Sequence, residues 1–247
     1  MSYIRSLRLW RGKGLALIAA ASFAAAAQAG LTSTKAPPTG EKSLVDILTN
    51  VYGGTFTSQG NDFTNGSLTA VRLDDSNDQT WTSGTYSLRT LASYSNDNVS
   101  ESFGSVNGSS GGSFDKLFDV SGKKLGATGS ASNVDFGGSF RLALNSDGAV
   151  YTSKDSDNAD NRDHALTYRI DGLGNNLTTF VTFWEDLNID LVSPNRSAHD
   201  FNDLAVELVR SGGAAAAAPL PPAVWSGGAL LAGTFFMMRR RAQLQTA

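Results

Sequence analysis

The sequence predicts an all-β fold: an antiparallel β-sandwich of jelly-roll-like type with one short N-terminal helix. It is flanked by a signal peptide and a C-terminal transmembrane helix. Three observations carry that expectation. Apolar residues in the middle of the chain recur every second position more often than every 3.6. Glycine supplies 26 of 247 residues, above the usual share of about 7%, and Ser, Asn and Asp turn formers are abundant. Finally, the ends differ from the middle: no acidic residue precedes Glu41 or follows Glu207.

The first 29 residues read as a secretory signal peptide. Arg5, Arg8, Arg11 and Lys13 form a basic start, Leu15 to Ala27 is apolar, and Ala27-Gln28-Ala29 is a small-residue cleavage site that leaves Gly30 first. The apolar run is 13 residues long, short of the roughly 20 that a membrane span needs. An uncleaved anchor is the alternative. Signal peptidase is the implied first partner.

The domain that follows spans residues 30–211. Its one helical segment is Ser43 to Val51, where Leu44, Ile47, Leu48 and Val51 fall at helical spacing. Strands are read where the period is two. Phe140, Leu142 and Leu144 alternate with Arg141 and Ala143; Leu166, Tyr168 and Ile170 with Thr167 and Arg169; Leu204, Val206 and Leu208 with Ala205, Glu207 and Val209. Thr179 to Trp184 is denser and reads as a central strand. Turn clusters at Asn65-Gly66, Ser109 to Gly112 and Gly137-Gly138 separate such runs.

After the domain come a small-residue linker, 212–218, and a tripartite tail, 219–247. The tail opens with Pro219-Leu220-Pro221-Pro222, continues as an uncharged stretch at 223–238, and closes with Arg239, Arg240 and Arg241. Sixteen residues reach about 24 Å as a helix, a marginal span of the roughly 30 Å hydrocarbon core. The arginines set the topology, with residues 30–218 outside and the last nine inside.

Composition excludes several functions. Without cysteine there are no disulfides, thiolate nucleophiles or Cys-based metal centres. With His164 and His199 the only histidines, a His-rich zinc or copper site is excluded too. The seven basic residues at the ends leave 13 of 20 for the middle, against all 23 acidic residues. That acidic middle argues against nucleic acid as a partner.

Oxygen ligands remain, and two segments concentrate them. One holds Asp155, Asp157, Asp160 and Asp163. Oxygens at such spacing in a turn can converge on Ca²⁺, which takes six to eight. The segment is not an EF-hand, since Asp160 stands where that loop needs glycine and Leu166 where it needs a bidentate glutamate. The other segment holds Glu185 and Asp186 at one strand end and Asp200, Asn202 and Asp203 at the start of the next. If those strands pair as a hairpin, four carboxylates meet and need a cation or protons. The alternative for both segments is that Asp and Asn act as turn formers and caps.

Catalysis has weaker support, and the expectation is a protein that is not an enzyme. The pairs Asp163-His164 and His199-Asp200 suggest a Ser-His-Asp triad, but strand neighbours point to opposite faces and no G-x-S-x-G accompanies them. Glu185 and Asp186 as glycosidase carboxylates would need a sugar groove. Trp81 and Trp184, at strand positions, read as core before sugar platforms.

The tail from Pro219 resembles the bacterial PEP-CTERM sorting signal, in which a short proline motif, one hydrophobic helix and an arginine cluster are handled by a membrane protease-transpeptidase, exosortase. Its proline motif is close to the V-P-L-P-A subtype, with Ala218 where that subtype usually has Val. The segments Asp163-His164-Ala165-Leu166, Phe183-Trp184-Glu185-Asp186-Leu187 and Ala198-His199-Asp200-Phe201-Asn202-Asp203 resemble a bacterial domain family of unknown function, often joined to such tails. In that family an Asp often stands where this chain has Ala198. The resemblance implies a protein exported to the cell surface or an extracellular, exopolysaccharide-associated matrix, membrane-tethered and then processed, with a calcium site. A carbohydrate-binding module and a glycan-active enzyme are the alternatives.

Overall fold

A computed structural model describes residues 31–95, 98–174, 177–186 and 199–211. The signal peptide, Gly30, the linker and the sorting tail with its 223–238 stretch lie outside the described residues. Among the described residues no helix is long and apolar enough to cross a membrane.

The described residues are mostly β: two antiparallel sheets and one short α-helix. The helix α1 spans Leu44–Tyr52, as the spacing predicts. Ser43 caps it: the Asp46 amide donates to Ser43 Oγ at 3.2 Å and the Ser43 amide to Asp46 Oδ2 at 3.2 Å. Two otherwise orphaned amides of the first turn are thereby satisfied. Twelve strands follow in chain order: β1 (Thr57–Gln59), β2 (Asp62–Thr64), β3 (Thr69–Arg72), β4 (Gly84–Ser93), β5 (Glu101–Asn107), β6 (Phe114–Asp119), β7 (Ser130–Phe136), β8 (Phe140–Ser146), β9 (Ala149–Thr152), β10 (Ala165–Asp171), β11 (Thr178–Trp184) and β12 (Leu204–Ser211). The three sequence-predicted turns fall between β2 and β3, β5 and β6, and β7 and β8.

The larger sheet runs β1-β2-β3-β10-β11-β12-β4-β7 and the smaller β6-β5-β8-β9. The TFVTFW segment is thus the interior strand β11, paired on both sides. Alternation divides the large sheet into two buried faces, because successive side chains point to opposite sides. Leu166, Tyr168, Ile170, Val181, Phe183 and Ala205 face Leu44, Ile47 and Leu48 of the helix. Trp184, Leu204, Val206 and Leu208 face the other way and pack with Phe103, Phe118, Phe140, Leu142 and Leu144 of the small sheet. This shared core makes the packing of the two sheets compatible with a β-sandwich, with the helix as a cap on the outer face. Trp81 and Trp184 are 7% and 0% exposed, as core residues should be. Trp184 meets Phe103 edge-on at 5.5 Å, which ties β11 to the opposite sheet.

Two local features explain why strands here escape a period-two reading. In β4 the register with β12 skips Leu91, a bulge, so Leu91 and Ala92 both join the helix-side core. In β5 a Cβ on Gly104 would lie 2.2 Å from the Asp115 carbonyl of β6. Glycine is required there for the strands to approach.

Candidate metal centre

Strands β11 and β12 pair antiparallel, with Trp184 opposite Leu204 as the last partners. Glu185 and Asp186 therefore leave the ladder where Asp203 enters it. Ligand oxygens of Glu185, Asp186 and Asp203 all lie within 4.8 Å of one another. Glu185 is 0% and Asp186 8% exposed, while Asp203 is half-buried.

The backbone holds this arrangement. The Asp186 amide donates to Asp203 Oδ2 at 2.9 Å, linking the two strand ends. The Asp203 carbonyl accepts from the Tyr94 amide at 2.8 Å. The Glu185 amide donates to the His164 carbonyl at 3.0 Å, and the Glu185 carbonyl lies 2.9 Å from His164 Nδ1. On the side chains, the His199 amide donates to Glu185 Oε2 at 2.9 Å, and Ser146 Oγ to Asp186 Oδ2 at 3.1 Å. Glu185 Oε1 is buried with no hydrogen-bond partner.

Those surroundings disfavour charge. Burial above all, then the neighbouring Asp200 and Asp186, pushes the Glu185 carboxyl up to about 7. Burial, with Glu185 and Asp186 next, raises Asp203 well above the usual carboxylate range. A group of carboxylates in this state is relieved by protons or by a cation. Three carboxylates this close, two buried and one half-buried, could hold a hard metal ion. The donor set is oxygen only, which suits Ca²⁺ or Mg²⁺ and not the softer metals.

The remaining sequence-predicted ligands are placed around this centre or away from it. Asp200 is buried near Glu185. Asn202 turns its Nδ2 to Glu41 Oε2 and to the Lys42 carbonyl, both at 3.0 Å, securing the approach to the helix. The 155–163 segment is not gathered into one site. Asp155 to Asp157 form a single 3₁₀ turn. Asp157 pairs with Arg141, which is 1% exposed. Asp155 Oδ2 accepts from Gln79 Nε2 at 3.3 Å. Asp160 Oδ2 lies 3.1 Å from His164 Nε2, and Asp163 Oδ1 accepts from the Ala165 amide at 3.0 Å. The Asp163 bond to the amide two residues on is a local turn use of Asp, whereas Asp155 and Asp157 reach Gln79 and Arg141.

His164 joins the two segments. It is 0% exposed, stacks on Tyr151 at 4.2 Å, and has both nitrogens engaged by Asp160 and the Glu185 carbonyl. Its carboxylate partner is four residues back, not the adjacent Asp163.

Sequence reasoning missed Glu101, at the start of β5. It is 4% exposed, accepts from Ser93 Oγ at 2.8 Å, and feels the charge of Asp186. Burial, the largest influence, pushes its carboxyl up to about 7. A single glutamate opening a Ser/Gly-rich strand carries no signal of this. It also missed Asp75 and Asp78, although Asp74-Asp75-Ser76-Asn77-Asp78 is as Asp-dense as the segments it chose.

Comparison with family models, with curated proteins and with solved structures finds no match.

Proposed function

We propose that the chain is an exported, non-catalytic protein of the cell surface or extracellular matrix, in which Ca²⁺ at the β11–β12 mouth stabilises a jelly-roll-like sandwich. The observation that carries the calcium reading is the group Glu185, Asp186 and Asp203, two of them buried, with ligand oxygens within 4.8 Å of one another. Carbonyls and water would complete the six to eight oxygens that Ca²⁺ takes. The bound ion would supply charge neutralisation, and it would fix the end of the β11–β12 hairpin. The jelly-roll reading is supported by the chain's repeated passage between sheets: β4 to β5, β6 to β7, β7 to β8 and β9 to β10.

Export and tethering rest on the sequence. The basic start with Ala27-Gln28-Ala29, and the PEP-CTERM-like tail with Pro219, Leu220, Pro221, Pro222 and Arg239 to Arg241, support a bacterial exported precursor. It is held by a membrane helix and then processed by an exosortase-type enzyme. Exopolysaccharide is the partner this location offers. A carbohydrate-binding module would want an exposed aromatic platform; among the described residues every Trp and Tyr is buried or half-buried. The glycan-active reading finds no support in Glu185 either, whose carboxyl is enclosed.

The test is a thermal melt of the purified protein in millimolar Ca²⁺ and in EDTA. At 100 times Kd a bound ion adds about 2.7 kcal/mol, a rise of several degrees for a domain of this size. Asp203→Asn should abolish the rise. An unchanged melting temperature in wild type would overturn the calcium reading and leave the export signals untouched.

A further inference from the structure

As a unit, the 155–163 segment covers a sheet edge. β9 is the last strand of the small sheet, with β8 on one side. An edge strand presents N–H and C=O groups that invite a further strand. Ser153, just past β9, donates its amide to the Leu142 carbonyl at 2.9 Å. Residues 151 and 153 therefore turn their backbone groups toward β8, and residues 150 and 152 turn theirs outward.

Asn158 meets that outward edge. The Thr152 amide donates to Asn158 Oδ1 at 2.7 Å, and Asn158 Nδ2 donates to the Thr152 carbonyl at 3.1 Å. A carboxamide offers an acceptor and a donor side by side, so this side chain takes the place of a partner strand. Its Nδ2 also donates to the Arg162 carbonyl at 2.8 Å, and Asn158 is 3% exposed. The turn around it is fixed to three other parts of the chain. Asp157 pairs with Arg141 of β8, Lys154 Nζ donates to the Ser109 carbonyl at 2.6 Å, and Ser153 Oγ donates to the Gln79 carbonyl at 3.1 Å. Thr152 is 5% exposed, whereas apolar Val150, the other outward residue of the strand, is 38% exposed. The cover stops between them.

We propose that the 155–163 connection is an edge guard, in which Asn158 stands in for a neighbouring strand at β9, and that the strand it excludes is β9 of a second copy of this chain. Such an edge is self-complementary, because antiparallel pairing about a two-fold axis sets it against its own copy. The pairing would also bring Val150 beside its counterpart and join two exposed apolar side chains. One guarding residue is enough because β9 spans only Ala149–Thr152: with Thr152 closed, Val150 alone faces outward. The guard depends on neither the candidate metal centre nor the export signals, and it gives the Asp-rich segment a role that none of its carboxylates has singly.

The chain has no cysteine, so one introduced thiol reports pairing without a background. The test uses the full chain in detergent carrying Val150→Cys, treated with copper phenanthroline as oxidant, and reads the disulfide-linked dimer on a non-reducing gel. Adding Asn158→Ala should raise the dimer yield about tenfold. Ser58→Cys, on the exposed strand β1 at an edge of the large sheet, should give no such rise when Asn158→Ala is added. A cooperative melt checks that the variant is folded. If Asn158→Ala does not fold, Asn158→Asp replaces it: this variant keeps the acceptor for the Thr152 amide, loses both Nδ2 bonds, and should give a smaller rise in the same direction. Equal yields from Val150→Cys with and without the change at Asn158 would overturn the proposal. So would equal rises at residues 150 and 58, which mark general loosening of the chain and not pairing at β9.

Discussion

The 155–163 segment and the β11–β12 mouth each hold four carboxylates, and the fold uses them in opposite ways. In the first, every carboxylate has its own neighbour: Gln79 for Asp155, Arg141 for Asp157, His164 for Asp160 and the Ala165 amide for Asp163. In the second, strand pairing brings ligand oxygens of Glu185, Asp186 and Asp203 within 4.8 Å of one another. Density of Asp in the sequence is the same signal in both. What separates them is register: an antiparallel ladder forces distant residues to meet at its end, whereas the 155–163 turn sends its side chains to separate partners. Dispersed carboxylates should contribute stability that no cation alters, and converging ones stability that a cation controls.

The largest effect belongs to the dispersed segment. Asp157→Ala strands the buried Arg141 guanidinium, leaving it the carbonyls of Asn107, Gly108 and Gly111. Breaking such a pair costs about 3 kcal/mol, and denaturant unfolding should give the same loss in Ca²⁺ and in EDTA. A loss that Ca²⁺ repairs would break the comparison. Next is Asp203→Asn at the converging site. The variant should lose the roughly 2.7 kcal/mol that a bound Ca²⁺ would contribute at 100 times Kd. In EDTA it should be no less stable than wild type, because one repelling charge has gone while Asn keeps an acceptor for the Asp186 amide.

Glu101→Gln probes burial without convergence. Because the folded carboxyl titrates near 7 against 4.5 unfolded, the folded state holds its proton longer. The stability this confers is present below about pH 4.5 and is lost as pH rises toward 7. Gln keeps the shape without the charge, so the variant should be more stable than wild type by up to about 3 kcal/mol at pH 8 and equal to it at pH 4. Equal stability at both pH values would contradict the enclosed position of Glu101. The smallest effect is Ser43→Ala, which removes the helix cap and costs about 1 kcal/mol, at any pH between 5 and 8 and with or without the cation, as read by urea unfolding.

Much of the fold was legible because burial is written in the alternation of large apolar residues. The helix was given by Leu44, Ile47 and Leu48, β8 by Phe140, Leu142 and Leu144, and the meeting of Glu185 with Asp203 followed once β11 and β12 were read as a hairpin. The strands that escaped are those where burial has another cause. Glu101, Ser105 and Gly104 line a buried strand that looks polar, and the Leu91 bulge shifts the phase of β4. Arg141 sits on a strand face that alternation assigns to solvent, yet a glycine-rich loop and Asp157 cover it. Partners so far apart in the chain leave no local trace.

Equilibrium dialysis against radioactive Ca²⁺ tests most directly whether one cation is held by the converging carboxylates. Wild type should bind one ion per chain. The Glu185→Gln, Asp203→Asn double variant should bind none, and Asp155→Asn should bind as wild type does. Binding that survives the double variant, or is lost with Asp155→Asn, would place the ion in the dispersed segment and contradict the account.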